Sequence, residues 1–316
     1  MNIKGACSHR GTNKRTNERT NERTIAAMAS PRVVLISGCS TGIGLETAVL
    51  LAKDPEKRFK VYATMRNLDK KTALESEGKD ALGDTLFIKA MDVSSDESVK
   101  SAVEEIIAQE GKIDDLVNNA GVGCVGVLEC MPMDQVKQLF EVNFFGALRL
   151  IQAVLPSMKA RESGYIVNVS SMAGELGGPF NDIYCASKFA LGGLTESLAP
   201  VLRQFKINIS LVEPGPVGTA FVGNINNFDS STADQKTLQL MKNWFDYIKE
   251  ALGPSIIQKV EEIAQCIKEI LLSEKPHYRY LTNDKCFVEQ INAKLVDFSG
   301  DRLLEVMEKY CFGQNK

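Results

Sequence analysis

The hydrophobic pattern changes period repeatedly along the chain, and those changes mark out its elements. Short runs of β-branched and apolar residues alternate with longer stretches in which apolar positions recur every three or four residues. The runs Arg32–Ser37, Lys60–Thr64, Thr85–Ala90, Asp115–Asn118, Tyr165–Ser170, Ile207–Val212 and His277–Leu281 predict strands. The helical period predicts helices over Gly42–Lys53, Ser95–Gln109, Met133–Lys159 and Ile183–Gln204. Strands that are apolar on both faces and separated by helices belong in a parallel sheet covered on both sides. The expected fold is therefore α/β, a doubly wound parallel sheet with helices on both faces, in a single domain over residues 31–316.

Residues 221–252 break this rhythm. A polar stretch follows Pro214-Gly215-Pro216, and then Leu238–Leu252 carries Leu240, Met241, Trp244, Phe245, Tyr247 and Ile248. A segment that follows a strand's carboxyl end sits where ligands bind in open α/β sheets, so it is expected to be a flap over an apolar substrate. A helix docked on the core would use the same residues.

The first 27 residues have a different character. Thr16-Asn17-Glu18-Arg19 repeats as Thr20-Asn21-Glu22-Arg23 in a stretch almost free of apolar side chains. Such a stretch cannot bury a core and is expected to be disordered. The reading favours Met28, just ahead of the first strand, as the start of translation. The tail holds six basic and two acidic residues, which leaves 31 basic against 38 acidic, a net charge of −7, on the remainder. An acidic body offers no electrostatic footprint for nucleic acid.

The remaining composition, 44% hydrophobic and 24% charged, is that of a globular protein. No apolar run approaches the roughly 18 residues needed for a membrane span. Eight cysteines without paired spacing, and an opening that is not hydrophobic, fit reduced thiols in the cytoplasm. The two histidines, His9 and His277, leave no set for a histidine metal site or a Ser-His-Asp triad.

Candidate chemistry begins at the first strand. Gly38-Cys39-Ser40-Thr41-Gly42-Ile43-Gly44 spaces its glycines as GxxxGxG between a strand and a helix. Glycine allows the tight turn and the close approach of a pyrophosphate, and the helix start offers free N–H groups and a positive dipole end. The turn makes the sheet Rossmann-type and predicts a dinucleotide. The end of the second strand chooses between the two common ones, because a carboxylate there would hold the ribose 2′-hydroxyl of NAD. Here Val61-Tyr62-Ala63-Thr64-Met65 leads into Arg66, whose guanidinium suits a 2′-phosphate, so NADP(H) is preferred. Asp92, followed by Val93, can accept from an adenine amino group after the third strand. Asn118-Asn119-Ala120-Gly121 ends the fourth with a small backbone beside the cofactor and an Asn able to tie strands together.

Tyr184 and Lys188 lie four residues apart, on one face of a helix. An ammonium beside a phenol favours the phenolate and is expected to draw its pKa, ordinarily about 10, toward neutrality. Taken alone, the pair would be read as an amphipathic surface contact.

The ordered set Gly38–Gly44, Asn118–Gly121, Asn143, Ser170-Ser171, Tyr184 with Lys188, and Pro214–Thr219 resembles the short-chain dehydrogenases/reductases over about residues 31–222. Ser37 departs from the family's usual Thr but keeps the hydroxyl. Within the family the likeness is to the branch of retinol dehydrogenases and 17β-hydroxysteroid dehydrogenases, carried by Leu35–Ser40, Ala63–Arg66, Phe180–Asp182, Ala186–Ala190 and Leu211–Val217. The resemblance implies catalysis by Asn143, Ser171, Tyr184 and Lys188. In it Tyr184 exchanges the hydroxyl proton, Lys188 holds the ribose, Ser171 polarises the substrate oxygen and Asn143 positions a relay water. It also implies that Pro214, Gly215, Val217 and Thr219 embrace the nicotinamide, and it suggests a homodimer through long helices. The implied substrate is apolar, a retinoid or a steroid. The steroid branch grips its ligand partly through histidine, and this chain has none between Phe221 and Pro276, which favours all-trans-retinol/all-trans-retinal over estrone/estradiol. Cys311 stands where the retinol branch carries cysteines near its end, so peripheral membrane contact is an expectation. A non-catalytic NADPH-binding regulator and a dehydratase or epimerase on the same scaffold are the other readings. Filled catalytic positions count against both.

Overall fold

A computed structural model of the chain describes residues 30–286, except 222, 224, 252 and 254, together with residue 299. The tail over residues 1–27, the start at Met28 and Cys311 lie outside the described residues. The strands are β1 (Arg32–Ile36), β2 (Phe59–Met65), β3 (Leu86–Ala90), β4 (Asp115–Asn118), β5 (Cys124–Val125), β6 (Gly164–Val169), β7 (Ile207–Glu213), β8 (Asn226–Asn227) and β9 (Arg279–Leu281). The helices are α1 (Gly42–Ala52), α2 (Thr72–Glu77), α3 (Asp96–Glu110), α4 (Met133–Phe140), α5 (Gly146–Ala160), α6 (Asp182–Arg203), α7 (Gln235–Ala251) and α8 (Val260–Leu272).

Seven strands form one parallel sheet in the order β3-β2-β1-β4-β6-β7-β9. The strand order reverses between β1 and β4, and that switch point opens the crevice where such sheets bind ligands. Each face of the sheet buries an apolar layer. Val34, Ile36, Val61 and Val167 meet α1 and α8 on one side through Leu45, Leu51, Ile263 and Ile267. On the other, Leu35, Leu116 and Ile166 meet α3, α5 and α6 through Val103, Ile151, Val154 and Leu202. Strands covered on both faces explain the continuous apolar runs in the sequence.

Three expectations change. The helix expected over Met133–Lys159 is α4 and α5 joined by a π-helical turn, Glu141–Phe145. By length and mean hydropathy, Met133–Ala160 would also satisfy a membrane-span criterion, contrary to the sequence reading. Its apolar content has a local cause, since Leu150, Ile151, Val154 and Met158 are buried against the sheet. The sequence reading also missed α8, which packs on α1, and the short pairing of β8 with β5. That pairing, with Phe228 N–H donating to the Val125 carbonyl at 3.0 Å, anchors the segment that precedes α7.

Candidate active site

At the switch point the β1–α1 turn and the end of β4 touch. Gly38 has φ +75°, and a Cβ there would lie 2.8 Å from the Ala120 Cα. Gly42 has φ +62°, while a Cβ on Gly44 would meet Asn119 Nδ2 at 2.3 Å and the Gly38 carbonyl oxygen at 2.4 Å. The three glycines are therefore required by backbone conformation and by close approach. The Ser37 hydroxyl accepts from the Asn119 and Ala120 N–H groups at 3.0 and 3.1 Å, and Asn119 Nδ2 donates to the Ser37 and Gly38 carbonyls, each at 3.0 Å. These bonds explain why a hydroxyl is kept at Ser37. Asn118 ties strands together as expected, donating to Asn168 Oδ1 on β6 at 2.8 Å.

Ser40, Thr41 and Ile43 complete the turn into α1. Thr41 gives no side-chain cap to α1, and no acidic residue stands in its first turn. That helix start keeps its N–H groups and positive dipole end for an anion. Arg66 follows β2 directly, is exposed, and among the described residues pairs with no carboxylate. The Cys39 N–H donates to the Thr64 carbonyl at 2.8 Å, which draws the glycine turn against the same strand end. Thr219 packs on the turn from the other side, since a Cβ on Gly42 would meet Thr219 Cγ2 at 3.2 Å. The cradle of bare backbone, open helix start and adjacent guanidinium fits a dinucleotide. Asp92 uses Oδ1 to accept from the Ser94 N–H and hydroxyl, at 3.0 and 2.6 Å. Val93 is buried against Gly146 of α5, so it seats that helix.

The catalytic candidates converge next to this cradle. Asn143 is buried in the π-helical turn, whose extra residue aims it inward. Its Oδ1 accepts from the Val122 N–H at 2.8 Å, and its Nδ2 donates to the Val122 carbonyl at 2.9 Å and to Ser187 Oγ at 3.0 Å. The buried Lys188 donates from Nζ to the Val169 carbonyl at 3.0 Å. A Cβ on Gly121 would lie 3.5 Å from Asn143 Oδ1 and 3.7 Å from Lys188 Nζ, so the two meet at that glycine. Ser171, just beyond β6, accepts from the Ala173 N–H at 3.1 Å, and its hydroxyl lowers the pKa of the Tyr184 phenol. The Phe221 ring lies 5.9 Å from the Tyr184 ring. Cys124, Val122, Phe140 and Ile183 add an apolar surround.

The electrostatics depart from the sequence argument. Burial pushes the Tyr184 hydroxyl up to about 12, and the Ser171 hydroxyl offsets only part of that. The ammonium sits 5.7 Å from the Tyr184 ring centroid and donates to a carbonyl instead. Lys188 is itself pushed down to about 8 by burial. Both groups are desolvated, and that outweighs any attraction between phenolate and ammonium. Tyr184 thus carries its proton across the neutral range, as a donor to a carbonyl oxygen must.

The Lys188 shift has a testable sign. Its folded value of about 8 lies below the ordinary 10.5, so above pH 8 the unfolded chain holds a proton that the folded chain has released. Stability from this group therefore rises between about pH 8 and 10.5 and is least below that window. Chemical denaturation of wild type and Lys188→Met across the window is expected to show wild type gaining on the variant as pH rises, by about 3 kcal/mol at most. A constant difference would contradict the buried, uncompensated ammonium.

Residues 32–230 match the family model for short chain dehydrogenase. The chain is a short-chain dehydrogenase. It is 46% identical over 288 residues to human retinol dehydrogenase 8, covering 90% of this chain and 91% of that protein. It is 40% identical over 286 residues to human 17-beta-hydroxysteroid dehydrogenase type 1, covering 89% and 86% respectively. Among solved structures, a short-chain dehydrogenase from Streptomyces avermitilis superposes with a TM-score of 0.71 at 28% identity, over 90% of this chain and all of that one. This dehydrogenase is accordingly an oxidoreductase.

Proposed function

We propose that this dehydrogenase interconverts an alcohol and a carbonyl on an apolar substrate with NADP(H), and that all-trans-retinol and all-trans-retinal are the pair. The observation that carries the proposal is the meeting of Asn143 and Lys188 at Gly121, with Lys188 on the helix that also carries Tyr184, whose ring lies against Phe221. A nicotinamide supplies the hydride in reduction and takes it back in oxidation. In reduction, Tyr184 gives its proton to the carbonyl oxygen while Ser171 donates a hydrogen bond to the same oxygen. Lys188 holds the ribose hydroxyls with donors not spent on Val169, and Asn143 keeps the Gly121–Val122 backbone and the start of the proton path in place. Pro214, Gly215, Val217 and Thr219 border the nicotinamide, and Arg66 takes the 2′-phosphate. The free cysteines Cys39, Cys124, Cys130, Cys185, Cys266 and Cys286 support residence in the cytoplasm.

The apolar substrate class is supported by Phe221, Cys124 and Ile183 around Tyr184, and by the pairing of Phe245 on α7 with Phe180, ring centroids 6.5 Å apart. The retinoid is favoured by the absence of histidine from residues 221–276 and by the higher identity to a retinol dehydrogenase. The steroid reading is favoured by the 40% identity to a 17-beta-hydroxysteroid dehydrogenase. Loss of NADPH absorbance with all-trans-retinal and with estrone, measured side by side, decides between them. The expected result is kcat/KM higher for retinal by about tenfold or more, the scale of discrimination an apolar pocket achieves. The reverse order would assign the steroid reaction.

A further inference from the structure

The Pro214–Thr219 loop has an unusual backbone problem. Pro214 and Pro216 have no N–H to donate, and the loop turns on glycines that fix little by themselves. Its two glycine N–H groups both go to one residue outside the loop. Gly215 N–H donates to Gln258 Oε1 at 3.2 Å, and Gly218 N–H to the Gln258 carbonyl at 3.0 Å. Gln258 N–H in turn donates to the Pro216 carbonyl at 2.8 Å, forming an isolated parallel bridge at Val217. The same side chain reaches the segment after β9. Its Oε1 accepts from the Thr282 hydroxyl at 2.9 Å, and its Nε2 donates to the Thr282 carbonyl at 2.7 Å. The amide orientation is fixed by this set, because a flip would turn the NH2 group toward the Gly215 N–H.

The seat is close as well as polar. A Cβ on Gly215 would lie 2.6 Å from Asn283 Nδ2, and that amide donates to the Ile256 carbonyl at 2.8 Å. At its other end the loop rests on the cofactor turn through Thr219 and Gly42, and the Pro214 carbonyl accepts from Met172 N–H, next to Ser171, at 2.9 Å. A loop that lost its Gln258 bonds would therefore be free to shift relative to both the glycine turn and the Ser171 turn.

We infer that Gln258 is a positioning residue for cofactor binding, a latch that holds the Pro214–Thr219 loop over the nicotinamide site. The inference rests on the reading of that loop as nicotinamide-binding. Nothing in the local sequence around Gln258 marks it, since its partners lie about 40 residues before it and 24 after it. Gln258→Ala removes three side-chain bonds and leaves the backbone pair. Gln258→Glu keeps the acceptor for Gly215 and Thr282 but loses the donor to the Thr282 carbonyl.

The test is NADPH titration and steady-state kinetics on wild type, both variants, and Gln265→Ala as a control on the exposed face of α8. Gln258→Ala is expected to raise the NADPH Kd and KM about five- to tenfold, with kcat within about twofold, as for the loss of one or two net hydrogen bonds. Gln258→Glu should fall between it and wild type, and Gln265→Ala should match wild type. Unchanged NADPH affinity in folded Gln258→Ala, even with a lowered melting temperature, would make the residue merely structural and overturn the inference while leaving the proposed function standing. If Gln258→Ala does not fold, Gln258→Glu with wild-type NADPH affinity overturns it equally. Wild-type protein that fails to bind NADPH would overturn the proposed function, and this inference with it.

Discussion

Tyr184→Phe is expected to lower kcat by about 10²- to 10⁴-fold, the range for removing a positioned proton donor, while NADPH affinity changes by less than about twofold. The substitution deletes one oxygen and leaves the ring, so packing against Phe221 and the Cys124 cluster survives. Lys188 and Asn143 also keep their partners, because the bonds to Val169, Val122 and Ser187 do not involve the phenol oxygen. What is lost is the proton that burial holds on the hydroxyl up to about pH 12. Without it a carbonyl oxygen would have to take its proton from water in an apolar surround. Single-turnover reduction with saturating NADPH separates this chemical defect from a binding defect. Near-normal turnover in the variant would remove Tyr184 from the reaction.

Arg66→Asp is expected to reverse the coenzyme preference, changing the ratio of kcat/KM for NADPH over NADH by about 10²-fold or more. A hydrogen-bonded charge pair with phosphate contributes about 1.5–3 kcal/mol, and the new carboxylate both repels phosphate and can hold the 2′-hydroxyl of NADH. Arg66 is exposed at the end of β2, so the change leaves the core untouched and the melting temperature should hardly move. The comparison is a pair of initial-rate series, one per coenzyme, with wild type and variant at the same ionic strength. An unchanged ratio would take Arg66 out of the phosphate site.

Much of this arrangement was legible in the chain because its signals are local. The glycine turn is readable since Gly38 and Gly42 need positive φ and Gly44 needs the space that a side chain would fill. The strands are readable because both faces of the sheet are buried. Asn143 was legible only through the resemblance, since a π-helical turn within an amphipathic stretch leaves no periodic mark strong enough to locate. The sign of the Tyr184 shift was not legible, because burial sets it, and residues that pack on the ring, such as Phe221, come from distant segments. Gln258 was invisible for the same reason: its bonds join segments that only the tertiary fold brings together. The buried cluster in which Arg279 pairs with Glu175 at 2.7 Å and Glu213 at 3.3 Å likewise links the turn after Ser171, the strand before Pro214 and β9 without any sequence signature.

Hydride exchange between NADPH and an apolar carbonyl at Tyr184 leaves an isotopic trace in the product. Wild-type enzyme is given NADPH carrying deuterium at the transferable position of nicotinamide C4, together with all-trans-retinal, and the alcohol product is analysed by mass spectrometry. One deuterium is expected on the carbinol carbon of the retinol formed, with almost no labelled product from Tyr184→Phe over the same time. Labelled NADPH that stays intact, or retinol formed without deuterium, would contradict that exchange.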